Sequence, residues 1–363
     1  MKNLQSMAAY KAKRVLVTGH TGFKGAWLSI WLNRLGAKVI GYSLPFWENE
    51  FIYQRADLKN HIFADEKGDV SDHKKLASIF ERYRPEAVFH LAAQPIVRLS
   101  YEIPFDTINT NVVGTAAVLE CIRNTKSVKS AVIITTDKCY RDEGKGIPYK
   151  EDDRLGGYDP YSCSKACAEL IVECYRNSFF GNSQKLVASV RAGNIIGGGD
   201  YAKDRLVPDC IRSLRNNEKI LVRNPGAVRP WQYVLEPLYG YLIIGSKLLA
   251  ADSEFADAWN FGPKTSSVVD VRTLVELVIK NWGSGSWVSS AKSQNIKHES
   301  RVLTLDISKA KNRLGWNPLL STSEAVNRTV NWYKRSEALN SQGILALCEK
   351  DIDFYERLLS GSS

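Results

Sequence analysis

The stretch Thr18-Gly19-His20-Thr21-Gly22-Phe23-Lys24-Gly25 decides how this chain is read. It follows Arg14–Thr18 (RVLVT), a β-branched run that reads as a buried strand. It precedes a helix with Leu28, Trp31, Leu32 and Leu35 on one face, ended by Gly36. Glycines spaced GxxGxxG allow a tight turn and a close backbone approach. The following helix then points its first N–H groups at a pyrophosphate. Three glycines can also simply close a strand–helix turn; their place between a strand and a helix favours the phosphate site.

Working outward, Lys38–Ser43 is a second strand, and Ala87–Ala93 and Ala131–Asp137 are further strands, separated by a helix around Asn111–Arg123. A long helix from about Tyr161 to Ser178 precedes a strand at Leu186–Ala192. This alternation predicts an α/β fold, a Rossmann-type doubly wound parallel sheet. The rhythm degrades after Ala192, with a triple glycine at Gly197–Gly199 and breaks at Asn224–Pro230 and Gly262–Pro263. We expect a sheet domain over residues 1–192 with a returning segment near 232–258. A smaller C-terminal α/β substrate domain is expected from 193–231 and 259–363.

The 363 residues suffice for about two domains and a sizeable core. Apolar residues make up 44% and charged residues 24%, which excludes a mostly disordered chain. No apolar run approaches the length of a membrane span, and Met1–Arg14 has no hydrophobic stretch, so no signal peptide is read. The seven cysteines form no CxxC pair and read as reduced cytosolic thiols, with no metal assigned. The net charge of +10 favours an anionic partner. It is dispersed, so a phosphorylated small molecule is expected rather than nucleic acid.

The catalytic candidate is Tyr161-Ser162-Cys163-Ser164-Lys165. Residues i and i+4 share a helix face. A Lys ammonium beside a phenol, together with a nicotinamide charge, is expected to lower its pKa and make a usable base. Thr135-Thr136-Asp137-Lys138 lies one strand earlier, at the carboxyl end where such sheets bind ligands. The second strand ends in Ser43-Leu44-Pro45, with neither the usual ribose-binding carboxylate nor an Arg for a 2′-phosphate. Asp69, followed by Val70, ends an expected third strand and could meet an adenine or be a solvated turn residue. Trp27, Trp31 and Trp231 read as core, and His90 as a structural residue beside the sheet. Arg98 and Lys138 could both be ordinary ion-pair members.

Together these features resemble the extended short-chain dehydrogenase/reductase family, and within it the nucleotide-sugar 4,6-dehydratases that act on CDP-glucose. The resemblance runs from about Arg14 to Tyr333. Its carriers are TGHTGFKG (Thr18–Gly25), HLAAQPIVRLSYE (His90–Glu102), TTDKCY (Thr135–Tyr140), GGYDPYSCSKACAEL (Gly156–Leu170), RAGNIIGGGDYAKDRLVPD (Arg191–Asp209) and RPWQYVLEPL (Arg229–Leu238).

The resemblance implies bound NAD, held by Gly19, His20, Thr21, Gly22, Phe23, Lys24, Gly25, Asp69, Val70, Leu91, Ala92, Ala93 and Asn111, with Tyr161 and Lys165. It gives Thr136, Tyr161 and Lys165 the Ser/Thr–Tyr–Lys roles and Asp137 that of the dehydratase acid, with Lys138 beside it in the expected catalytic set. Related dTDP-glucose enzymes carry Glu where this chain has Lys138, and the commoner family pattern has small or apolar residues at the positions of His20 and Lys24. Gln94, Asn194, Arg205 and Arg229 are expected on the substrate. Asn194 could instead cap a loop, and Arg205 could merely pair with Asp204 or Asp209. The implied activity is loss of water from CDP-glucose, for deoxysugar and lipopolysaccharide synthesis by a cytoplasmic homodimer or higher homo-oligomer. The rivals are a nucleotide-sugar 4-epimerase and a non-catalytic NAD-sensing regulator.

Overall fold

The computed structural model describes residues 7–45, 51–144, 146–181, 183–289 and 303–361. The first six residues, part of the stretch read as lacking a signal peptide, lie outside them. Seven strands form the central sheet: β1 (Arg14–Thr18), β2 (Lys38–Ser43), β3 (Ala64–Lys67), β4 (Ala87–His90), β5 (Ser130–Ile134), β6 (Leu186–Ala192) and β7 (Ala258–Phe261). Their order is β3-β2-β1-β4-β5-β6-β7, and every pairing is parallel. The order reverses between β1 and β4, which opens the crevice where doubly wound sheets bind ligands.

Nine helices of ten or more residues are described: α1 (Phe23–Arg34), α2 (His73–Tyr83), α3 (Gly114–Asn124), α4 (Pro160–Tyr175), α5 (Leu206–Arg215), α6 (Leu235–Leu249), α7 (Val271–Trp282), α8 (Thr322–Ser336) and α9 (Ser341–Ser360). One face of the sheet packs on α2, α3 and α4 through Leu76, Phe80, Val118, Ile122 and Val172. The other packs on α1 and α6 through Trp27, Trp31 and Leu242, and α9 lies outside them with Tyr355 against Trp31 and Tyr239. That core runs without a break into the C-terminal half of the chain, through Ile211, Val275 and Trp332. Burying apolar area on both faces explains why the strands read as continuous hydrophobic runs.

Several boundaries differ from the sequence reading. The strands expected at 87–93 and 131–137 stop at His90 and Ile134, leaving Leu91–Ala93 and Thr135–Asp137 in the loops of the crevice. The helical run before Arg123 begins at Pro104 and passes through a π-turn at Asn109–Val113. The returning segment runs past 258, because β7 pairs with β6 as far as Phe261. Helix α9 sits on α1 rather than apart from the sheet: Trp31 donates to Glu356 at 2.9 Å, and Arg34 bonds Asp353.

Candidate active site

Gly19 leaves β1 with φ +73°, a left-handed conformation natural to glycine. A Cβ there would lie 2.6 Å from the Ala92 nitrogen, so only glycine lets the loops after β1 and β4 meet. A Cβ on Gly25 would lie 2.1 Å from the Gly19 oxygen. Gly22 precedes α1 and supplies no side-chain cap, leaving the helix's first N–H groups to a ligand. This bare, narrow cradle fits a dinucleotide pyrophosphate. Beside it, Thr21 and Ser43 share a 2.7 Å hydroxyl bond where the ribose carboxylate is usual.

The His20 ring does not face this cradle. It is fully buried over Gly41 and bonds Asp65 at 2.6 Å. Burial pushes the Asp65 carboxyl up, but bonds from His20 and Lys67 hold it well below the usual range. Strand β3 ends at Lys67, before Asp69, whose Oδ1 accepts from Ser71 N and Oγ at 2.8 Å each. Val70 is buried against Gly114 of α3, and Phe23 is buried near Gly197. Asn111, in the π-turn, donates to Ser164 of α4 at 2.9 Å and accepts from the Gln94 N–H at 2.9 Å. Such turns frequently mark functional sites.

At the carboxyl end of β5 stand Thr136, Asp137 and Lys138. Thr136 Oγ1 donates to Asp137 Oδ1 at 3.0 Å, and Lys138 Nζ lies 3.7 Å from the same oxygen. Asp137 is buried, and its Oδ2 has no hydrogen-bond partner. Asp159 caps α4 by accepting from Ser162 N at 2.9 Å, which fixes Tyr161 in the first turn. Lys165 donates to the Ile134 carbonyl at 3.3 Å.

Burial pushes the Tyr161 phenol up to about 12, against the pull of a Thr136 hydrogen bond and the Arg205 charge. Lys165 by itself does not bring the phenol down. Lys165 is itself brought down to about 8, chiefly by burial, with Glu169 opposing. Lys24 points at the same cluster: burial, then Lys165 and Arg205, lower it to about 7. Tyr161 can therefore take a hydroxyl proton once further positive charge arrives, and Asp137 can exchange one at a second oxygen.

Arg205 pairs with Asp200 at 2.8 Å, not with Asp204 or Asp209. Arg98 lies 3.7 Å from Asp204. Arg229 is buried and donates to its neighbour's carbonyl, that of Val228, at 2.9 Å. Asn194 lies on a short strand paired with Trp231–Tyr233. The Gln94 amide is turned inward, donating to Thr107 at 2.8 Å and accepting from Ile96 N at 2.6 Å. His90 is buried between Thr18 and Thr115, and burial lowers it to about 3, so it stays neutral. Among the described residues no group of three or more His, Cys, Asp or Glu side chains could hold a metal, and no helix is long and apolar enough to cross a membrane.

Sequence reading missed the Asp159 cap, the Asp200 partner of Arg205 and the buried Glu169. For Glu169 a signal existed: it follows Tyr161 and Lys165 at the same four-residue interval.

The chain is 44% identical over 352 residues to the CDP-glucose 4,6-dehydratase of Salmonella typhimurium, covering 95% of this chain and 97% of that protein. It is 26% identical to the dTDP-glucose 4,6-dehydratase of Haemophilus influenzae, over 88% of this chain and 97% of that protein. Solved structures share the fold. The dTDP-glucose 4,6-dehydratase of Bacillus anthracis in complex with NAD superposes with TM-score 0.74 at 23% identity, covering 90% of this chain and 98% of that one. The UDP-glucose 4-epimerase of Thermotoga maritima with UDP-glucose gives 0.76 at 24% identity, over 89% and 99%. Residues 16–329 match the family described as GDP-mannose 4,6 dehydratase, and to that family this chain belongs.

Proposed function

We propose that the protein is an NAD-dependent CDP-glucose 4,6-dehydratase, a hydro-lyase that converts CDP-D-glucose to CDP-4-dehydro-6-deoxy-D-glucose and water. The observation that carries this reading is the near full-length 44% identity to an enzyme of that name. The site supports it with Asp137, a buried acid with a free oxygen, beside Thr136 and Tyr161.

The glycine cradle and Lys165 would hold NAD, which supplies a hydride acceptor at C4 and a donor at C6. Tyr161 takes the proton of the C4 hydroxyl, and Thr136 holds the same oxygen. The C4 ketone acidifies the C5 proton. The C5 proton passes to a base while Asp137 protonates the departing C6 hydroxyl, so water leaves across C5–C6, and C5 would be reprotonated as hydride returns to C6. Lys138 stands beside Asp137 in this step, and Lys165 and Arg205 supply positive charge near the developing oxyanion. Asn194, Arg205 and Arg229 take the nucleotide sugar, with Gln94 shaping the pocket wall. A 4-epimerase needs no acid at position 137, which favours elimination.

The sheet domain takes the cofactor and the C-terminal lobe the nucleotide. Phe105, Ile108 and Val113 on the run into α3, with Leu170 on α4, form an exposed apolar stripe that suits a second copy of this chain. We read the enzyme as a cytoplasmic homodimer or higher homo-oligomer serving deoxysugar synthesis for lipopolysaccharide. The test is a panel of CDP-, dTDP-, GDP- and UDP-glucose with added NAD. Dehydration of CDP-glucose at a kcat/KM at least about tenfold above the others is expected; equal or better use of another nucleotide overturns the assignment.

A further inference from the structure

Glu169 lies on α4, one turn beyond Lys165 and two beyond Tyr161, and is almost fully buried. Its carboxylate gathers groups from two strands. Thr135 Oγ1 of the β5 end donates to Oε1. Ser189 Oγ and Arg191 Nη2, both on β6, donate to Oε2 at 2.7 and 2.8 Å. Thr135 adjoins Thr136, and Lys165 bonds the Ile134 carbonyl on its other side. Arg191 carries the network on to Tyr140 at 2.7 Å and the Glu151 carbonyl at 2.8 Å, and Tyr140 donates to Asn260 of β7 at 2.8 Å.

We propose that Glu169 is a positioning residue for this reaction, locking the Tyr161–Lys165 face of α4 to the Thr136–Asp137 end of β5 and to β6. Burial pushes its carboxyl up, yet Arg191 and the hydroxyl donors keep it ionised. Its charge is then the largest influence holding Lys165 protonated against burial. The other charged or titratable groups facing Lys165 are Cys139 after β5, Lys24 from α1 and His90 from β4, and His90 is neutral.

The inference rests on the dehydratase reading for its kinetic arm only. Glu169→Gln keeps the shape and removes the charge. Because that variant strands Arg191, a second protein, Glu169→Leu with Arg191→Met, replaces the buried pair by apolar groups, an exchange that often preserves a fold. Lys165 is titrated in each ligand-free protein by lysine ¹³Cε NMR, assigned through Lys165→Arg. We expect its midpoint to fall by about one pH unit, a tenfold loss of proton affinity, in both variants. In single turnovers with NAD and CDP-glucose, nicotinamide reduction should slow at least about tenfold while KM stays within about threefold. An unchanged Lys165 midpoint, or an unchanged reduction rate in folded variants, overturns the proposal. A wild type that leaves CDP-glucose untouched counts against the substrate reading instead, since the lysine titration needs neither sugar nor cofactor.

Discussion

Thr136 and Asp137 are neighbours in sequence and bonded in space: Thr136 Oγ1 donates to Asp137 Oδ1 at 3.0 Å, while Asp137 Oδ2 is buried without a hydrogen-bond partner. A buried carboxylate oxygen left unmatched is costly and points to a ligand group. Asp137→Asn keeps this shape but cannot deliver a proton to the C6 oxygen. The variant should reduce nicotinamide on mixing with CDP-glucose, seen by absorbance, and yet release almost no 4-keto-6-deoxy product. Product at the wild-type rate would remove Asp137 from the elimination. Lost product without any nicotinamide reduction would place Asp137 in the oxidation step.

Tyr161→Phe should lower kcat at least about a hundredfold while costing about 1 kcal/mol of stability, because only the hydroxyl and its Thr136 bond are lost. A variant keeping more than about a tenth of wild-type kcat would exclude Tyr161 as the base. In the ligand-free enzyme burial holds the phenol at about 12. Adding NAD should move its titration, followed by tyrosinate absorbance, toward lower pH. No movement would mean that the activating charge comes from elsewhere.

The glycine cradle gives a sharper test than its residue types suggest. In Gly25→Ala the new Cβ would sit 2.1 Å from the Gly19 oxygen and 2.8 Å from His20 Cα, both backbone atoms. The loop must shift, at a cost of about 2 kcal/mol. Calorimetry should show NAD affinity reduced at least about tenfold, with a lower Tm. Undiminished NAD binding would show that the pyrophosphate lies elsewhere.

Glu236 predicts a pH dependence of stability. It is buried at the start of α6, accepts from Leu319 N and Leu320 N at 2.9 and 2.8 Å, and accepts from Tyr355 of α9 at 2.9 Å. Burial nevertheless raises it to about 7, against the pull of those donors. Between the unfolded value of about 4.3 and this folded value the native state holds the extra proton, so stability falls as pH rises. The loss is on the order of 3 kcal/mol by pH 8. Glu236→Gln, which does not titrate, should flatten the fall and raise Tm at pH 8. Parallel wild-type and variant curves would contradict this.

Strands β1, β2 and β6 were legible to the residue, because buried β-branched runs bounded by glycine or polar turns leave few alternatives. Strand β7 was not: Ala258–Phe261 is four residues without alternation, and only its pairing with β6 makes it a strand. The π-turn at Asn109–Val113 has no local signature, since Asn111 is drawn inward by Gln94 and Ser164. Tyr161 and Lys165 could be read from helical spacing. The turning of His20 onto Asp65, 45 residues away, could not, because it depends on the gap that Gly41 leaves. The Arg205–Asp200 pair likewise depends on a turn in which Asp204 has φ +61°.

The proposed reaction removes water from CDP-glucose and returns the C4 hydrogen internally to C6. The most direct measurement uses CDP-glucose deuterated at C4, incubated with the protein and NAD, with the product weighed and its label located. We predict a product lighter by one water, with the deuterium at C6. A product of unchanged mass, differing only in configuration at C4, would contradict the account and establish the epimerase.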